Sequence, residues 1–213
     1  IVGVSQCVTD IFKRDEFNQF KGVNGPRVSV IYNGIDPNRV VCESPRDIRA
    51  ELGASKNDFV MLYMGSLITR KSVDTVLVAI AELQKKYNVK LAIVGSGCED
   101  GNLAELVNEL TLQSSVKFFS PTDKVAEFYS SNADCFISVP SEEVFGLTLA
   151  EASLAKLPII TCNIPGINEI YTHQKNAMLI SPTLTENNDG CEELVNAIST
   201  LIDKPMLRKT LAE

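Results

Sequence analysis

Tryptophan is absent from the 213 residues, histidine occurs once, and aromatic side chains make up only 7% of the chain. With His173 alone and no acidic or thiol cluster around it, a protein-built metal centre is not expected. The six cysteines, at 7, 42, 98, 135, 162 and 191, contain no C-x-x-C pair. Spread so widely, they read as free thiols of a reducing, cytoplasmic setting rather than a disulfide framework. No apolar run approaches the ~20 residues of a membrane-spanning helix, and no signal peptide is visible. Basic residues are also in deficit, 20 against 27 acidic, for a net charge of −7. A phosphate backbone demands a basic face, so no nucleic-acid partner is expected, although a local basic pocket remains compatible with this charge. Internal repeats and low-complexity stretches are missing as well.

What is present is a core. With 45% hydrophobic residues, a chain of this length can bury one large domain. From residue 28 onward, apolar runs of strand length fall at 28–32, 59–64, 90–94, 116–119, 134–139, 158–161 and 177–180. Most are continuous in Val, Ile, Leu and Phe, the pattern of parallel strands covered on both faces. Helical periodicity fills the gaps at 74–87, 102–112, 125–129 and 192–202. Strands alternating with helices of this length predict an α/β fold, a Rossmann-like doubly wound parallel sheet. The first 26 residues differ: a short apolar strand candidate over 1–7, Phe12, Phe17 and Phe20 at helix-like spacing, then a Gly/Asn/Pro-rich loop over 21–26. They read as an end piece or linker (1–26) ahead of a domain over 27–213. A start at Ile1 rather than Met, and an end in mid-helix at Glu213, suggest a piece of a longer protein.

In an open parallel sheet, ligands bind beyond the carboxyl ends of the strands. The unusual residues cluster in those loops. The most informative spans 140–152, Pro-Ser-Glu-Glu-Val-Phe-Gly-Leu-Thr-Leu-Ala-Glu-Ala. Glu143 lies in the loop, and Glu151 lies inside the helix that starts near Gly146. The helix N-terminus between them offers free N–H groups and partial positive charge, a natural anion site. At about 1.5 Å rise per residue, Glu151 lies roughly 6–8 Å beyond that site. A ligand with hydroxyls at both ends and a diphosphate in the middle would match, and nucleotide sugars have that layout. Glu151 sits in a stretch from Leu147 to Ala155 nearly devoid of other charge, so its carboxylate needs partners or a polar cleft. Arg70 and Lys71 precede a helix that Ser72 or Asp74 could cap. Lys71 suits a phosphate, though an ordinary solvated basic pair fits the same spacing. Gly95-Ser96-Gly97 suggests a dinucleotide fingerprint, but Asp100 stands where the third glycine belongs, and a plain tight turn accounts for it.

These residues together resemble the C-terminal, donor-binding domain of retaining glycosyltransferases of the GT-B fold, in the group-1 (family 4) class. The resemblance runs from about Val28 to the end. Its carriers are residues 31–36 (Ile-Tyr-Asn-Gly-Ile-Asp), the loop 65–71, the E-x7-E stretch 143–151 and the glycine loop 165–170. It implies a nucleoside-diphosphate sugar as substrate, no metal or other cofactor, and a preceding acceptor domain not contained in this sequence. Any membrane association, peripheral at the inner face, would then fall to that missing half. It also implies roles. Glu143 would hold the donor sugar, helped by the backbone of Phe145 and Gly146. Leu147 and Thr148 amides would bind the diphosphate, with Gly65, Ser66, Arg70 and Lys71 forming the phosphate loop. Glu151 would take the ribose hydroxyls, and the backbone of Ser120 and Pro121 the base edge. Two departures stand out: Ser66 where the family usually has arginine, and Ser72 where it has glycine. Arg70 is the available substitute for the first. A degenerate nucleotide-binding module without catalysis is the competing expectation. A GT-B epimerase or phosphorylase finds little support in a chain with a single histidine.

Overall fold

In the computed structural model, residues 2–13, 27–182 and 189–213 are described. Two short strands, β1 (Val2–Gly3) and β2 (Ser29–Val30), pair in parallel, and between them runs α1 (Gln6–Lys13). A short helix, α2 (Ile48–Glu51), leads into the main sheet. That sheet comprises β3 (Phe59–Met64), β4 (Val89–Val94), β5 (Val116–Phe119), β6 (Cys135–Ser138), β7 (Ile159–Cys162) and β8 (Met178–Ile180). All pairings are parallel, in the order β5-β4-β3-β6-β7-β8.

Every residue of β3, β6 and β7 is buried, which is why these strands read as mostly apolar runs, broken by Ser138 and Thr161, instead of alternating ones. The covering helices are α3 (Val73–Leu83), α4 (Asp100–Glu109), α5 (Val125–Tyr129), α6 (Leu147–Leu154), α7 (Asp189–Asp203) and α8 (Pro205–Ala212). α3 buries Val73, Val76, Leu77, Ile80 and Leu83 on one stripe, and the aliphatic face of α7 packs alongside. The six cysteines are free thiols, and Cys135, Cys162 and Cys191 are buried.

The doubly wound expectation is met; the boundaries differ for identifiable reasons. The strand expected over 1–7 is only two residues long, and a helix begins at Gln6. Its N-terminus is held from a distance: Glu169 accepts the Gln6 N–H at 2.7 Å and the Cys7 N–H at 2.9 Å. Nothing local in the sequence announces that cap. Phe17, Phe20 and the loop 21–26 lie outside the described residues. The helix expected over 74–87 stops at Leu83 and leaves through turns, so that Tyr87 donates its hydroxyl proton to Asp203 at 2.9 Å. The helix expected over 102–112 starts two residues sooner and ends at Glu109.

The capping role expected of Ser72 or Asp74 is not observed. Ser72 sits ahead of α3 in the left-handed region (φ 50°, ψ 43°), makes no side-chain cap, and buries its hydroxyl without a partner. Left-handed backbone costs a residue with a Cβ about 1–2 kcal/mol, and an unpaired buried hydroxyl about as much again. Glycine would remove both costs while losing about 0.5–1 kcal/mol to the greater freedom of its unfolded chain. Ser72→Gly is therefore expected to stabilise the fold by about 1 kcal/mol, read as a higher urea midpoint at unchanged slope. A lower midpoint would show that the hydroxyl has a use the geometry does not reveal.

Candidate functional site

The strand order reverses at β3. The chain leaves β3 for β4 and β5 on one side, then returns to place β6 on the other. Loops following β3 and β6 diverge at that point and leave a crevice beyond their carboxyl ends, where ligands bind in open α/β sheets. The loop after β3 carries Gly65 and Ser66, then a 3-10 turn over Thr69–Lys71. The loop after β6 carries Glu143 and ends at Gly146, which precedes α6.

Across the crevice, Lys71 Nζ lies 2.5 Å from Glu143 Oε2. The other carboxylate oxygen accepts the Val144 N–H at 3.0 Å. Burial would raise the Glu143 carboxyl; the Lys71 ammonium and the N–H groups of Val144 and Phe145 outweigh it and hold the group below its ordinary value. Gly146 adopts φ 82°, a turn that a residue with a Cβ enters only under strain, and a Cβ there would meet Leu149 Cδ1 at 2.9 Å. No side chain caps α6, and Gly146, Leu147 and Thr148 at its N-terminus line the crevice.

Glu151 lies one turn further along α6 and is 7% exposed. Its need for partners, inferred from the apolar stretch around it, is met by two. Tyr129 donates its hydroxyl proton to Oε2 at 2.9 Å, and Arg39 donates from Nε to Oε1 at 2.9 Å. Burial, and then the neighbouring Glu151 charge, push the Tyr129 phenol upward, so it stays a donor. Two cavities of about 360 Å³ each lie here. One holds Lys71, Glu143 and Phe145; the other holds Arg39, Tyr129 and Glu151. Met64, Gly65, Ser66 and Thr148 line both, which makes them a single cleft with a carboxylate at each end.

Most residues singled out in the sequence line this cleft: Gly65, Ser66, Lys71, Glu143, Phe145, Gly146, Leu147, Thr148, Pro121 and Glu151. Ser120 does not line either part; its neighbours Pro121 and Thr122 do. Arg70 is displaced too. The 3-10 turn points successive side chains apart, and Arg70 lines a separate cavity where it donates to the Glu142 carbonyl at 3.3 Å. It therefore does not stand in for an arginine at position 66. Gly95 and Gly97 act as a packing device rather than as a dinucleotide fingerprint. A Cβ on Gly95 would lie 1.9 Å from the Gly65 carbonyl oxygen, and one on Gly97 would lie 2.0 Å from that of Leu67. Their loop is bonded to the 65–71 loop by Leu67 N–H to Ser96 O and Glu99 N–H to Leu67 O, both at 3.0 Å. Sequence reasoning missed Arg39 and Tyr129. Asp36 and Pro37 mark the tight turn that presents Arg39, but no local signal ties it to a carboxylate 112 positions away. Among the described residues, no group of three or more His, Cys, Asp or Glu could hold a metal ion, and no helix is long and apolar enough to cross a membrane.

The lowered Glu143 carboxyl makes a pH-dependent statement about stability. Its contribution is fully present above the unfolded glutamate value and is lost as the pH falls through the lower folded value. Wild type is therefore expected to exceed Glu143→Gln in unfolding free energy by a constant margin between about pH 8 and pH 6, shrinking below about pH 4. Denaturant melts at a series of pH values measure this; a margin unchanged at pH 3 would mean that the ion pair is not its source.

Comparison with known proteins places the chain in a family. The sequence profile described as Glycosyl transferases group 1 matches residues 44–213. An uncharacterised glycosyltransferase of Methanocaldococcus jannaschii is 29% identical over 162 residues, 73% of this chain and 41% of that protein. Another, from Haemophilus influenzae, is 35% identical over 150 residues, 69% of this chain and 40% of that protein. Among solved structures, the Anabaena protein HepE in complex with UDP-glucose superposes with a TM-score of 0.82 at 26% identity, over 99% of this chain and 56% of that one. The chain thus spans about two fifths of the length of these curated relatives. With four fifths of its residues inside the matched profile, a Rossmann-like sheet and the GT-B likeness, the chain belongs to the group 1 glycosyltransferase family.

Proposed function

We propose that this chain is the donor-binding half of a glycosyltransferase that moves a sugar, with retention, from a nucleoside-diphosphate sugar to an acceptor. The observation that carries the reading is the single cleft with Glu143 at one end, Glu151 at the other and the open N-terminus of α6 between them. The UDP-glucose held by the Anabaena neighbour supports the same ligand class.

In this reading the sugar lies against Glu143, Phe145 and Gly146. The diphosphate lies on the Leu147 and Thr148 amides beside Gly65 and Ser66. The ribose hydroxyls meet Glu151, and the base lies along Pro121, with the Ser120 backbone at its edge. Lys71 keeps Glu143 as one partner and has two further ammonium protons for phosphate oxygens. As the bond from anomeric carbon to diphosphate oxygen breaks, the diphosphate takes the electron pair, and Lys71 and the helix amides are in place for that charge. The acceptor hydroxyl oxygen bonds to the anomeric carbon, and its proton passes to the departing phosphate. Glu143 supports the positive charge that develops on the ring, as carboxylates do in glycoside chemistry. Tyr129 and Arg39 position Glu151, so its carboxylate meets the ribose already oriented.

The reading is tested by thermal shift with UDP, GDP, ADP and their glucose conjugates. A ligand at a hundred times its dissociation constant stabilises the fold by about 2.7 kcal/mol. Lys71→Ala is expected to weaken the preferred diphosphate by about tenfold to a hundredfold and to flatten its salt dependence, since one charge-assisted contact is worth about 1.5–3 kcal/mol. No shift with any of the six would defeat the reading.

Ser66 keeps a second reading open, a nucleotide-binding module without turnover, because it puts a hydroxyl where the resembling family places a cation. Ser66→Arg in the full-length protein separates the two. A severalfold change in an already measurable transfer rate fits the enzyme, whereas activity appearing only in the variant fits the module.

A further inference from the structure

The Glu143 end of the cleft has a third wall. Besides the loops after β3 and β6, it is lined by Val4 and Asn33, from just beyond β1 and β2. Neither of them lines the other end, where Arg39, Tyr129 and Glu151 lie. The stretch that leads into Asn33 is anchored twice. Ile31 donates its N–H to the Gly3 carbonyl at 3.0 Å, which keeps it beside the first strand. Tyr32 donates its hydroxyl proton at 3.1 Å to Glu169, the carboxylate that also caps α1, and its ring centre lies 6.3 Å from that of Phe145. Asn33 is thus held over the cleft by contacts to the loops after β6 and β7.

Asn33 is half-buried, and its carboxamide makes no hydrogen bond among the described residues. That group has two N–H donors and an acceptor oxygen, which matches a hydroxyl, itself donor and acceptor, better than a diphosphate, which only accepts. Its place in the cleft agrees. Met64, Gly65, Ser66 and Thr148 line both ends and so mark the middle, where the diphosphate lies in the donor reading; Asn33 lies only toward Glu143. Lys71 and Glu143, the only charged side chains lining that end among the described residues, compensate each other. A neutral, hydroxyl-bearing group therefore suits the space.

We propose that Asn33 is a specificity-determining residue whose carboxamide hydrogen-bonds a hydroxyl of the donor's sugar. The inference rests on the donor reading above, and adds to it a sugar contact from outside the loops after β3 and β6.

Calorimetric titration of this chain and of Asn33→Ala tests it, with UDP, GDP, ADP, their glucose conjugates, UDP-galactose, UDP-N-acetylglucosamine and GDP-mannose as ligands. For whichever conjugate the wild type binds most tightly, Asn33→Ala is expected to lose about threefold to tenfold in affinity, the worth of one neutral hydrogen bond. Affinity for the parent diphosphate is expected to stay within about twofold. Because the carboxamide has no partner in the described fold, the urea midpoint of the variant is expected to equal that of the wild type. The proposal is overturned if the conjugate binds both proteins equally well. It is also overturned if conjugate and diphosphate weaken alike, which would move the contact to the phosphates, or if the midpoint falls, which would give Asn33 to the fold. Diphosphates binding the wild type while no conjugate does would overturn it and leave only a nucleotide module. Failure of every nucleotide on the wild type would instead sink the donor reading itself.

Discussion

The contact between Lys71 and Glu143 bridges the point where the sheet changes direction, and the rest of the site is arranged around it. Both groups are largely withdrawn from solvent. Loss of either partner leaves the other's charge uncompensated in a partly buried place, which costs stability. The loops after β3 and β6 are thereby held at a fixed separation, with the amides of α6 beside them. Carboxylate, ammonium and helix N-terminus form one electrostatic unit, and the proposed donor reading assigns its remaining capacity to an anion that also carries hydroxyls. The same loop partitions the surface: on one side lies the cleft ending at Glu151, on the other the recess that holds Arg70.

How far this could be read from the sequence depends on the range of the interactions involved. The buried strands were legible because a strand covered on both faces is apolar nearly throughout, and Phe59–Met64 and, up to Ser138, Cys135–Ser138 are. The helix after Gly146 and the isolation of Glu151 were legible for a similar reason, since a lone carboxylate in an apolar stretch is conspicuous. Partners were not. Glu151 is satisfied by Arg39 and Tyr129, and the α1 N-terminus by Glu169, over distances along the chain that no local pattern encodes. The direction of Arg70 was equally hidden. It depends on the 3-10 turn that separates it from Lys71, in a loop whose earlier residues are seated on Gly95 and Gly97.

That seating shows a further division of labour. The glycines after β4 contribute no chemistry, yet a single methyl group on either would drive into the backbone of the loop that presents Lys71. Ser72 is the opposite case, a residue with a side chain in a conformation glycine prefers, one position past the lysine. The 65–71 loop is thus braced firmly from beneath and strained at its exit.

The pairings that define the cleft join positions 72 and 112 residues apart along the chain. Contacts this remote form only after the intervening strands have aligned, because loop closure must precede them. No excised hairpin or early intermediate can therefore assemble the pair of acids with their partners. The proposed capture of a ligand would therefore report the finished topology, and a partly folded copy would be blind to it.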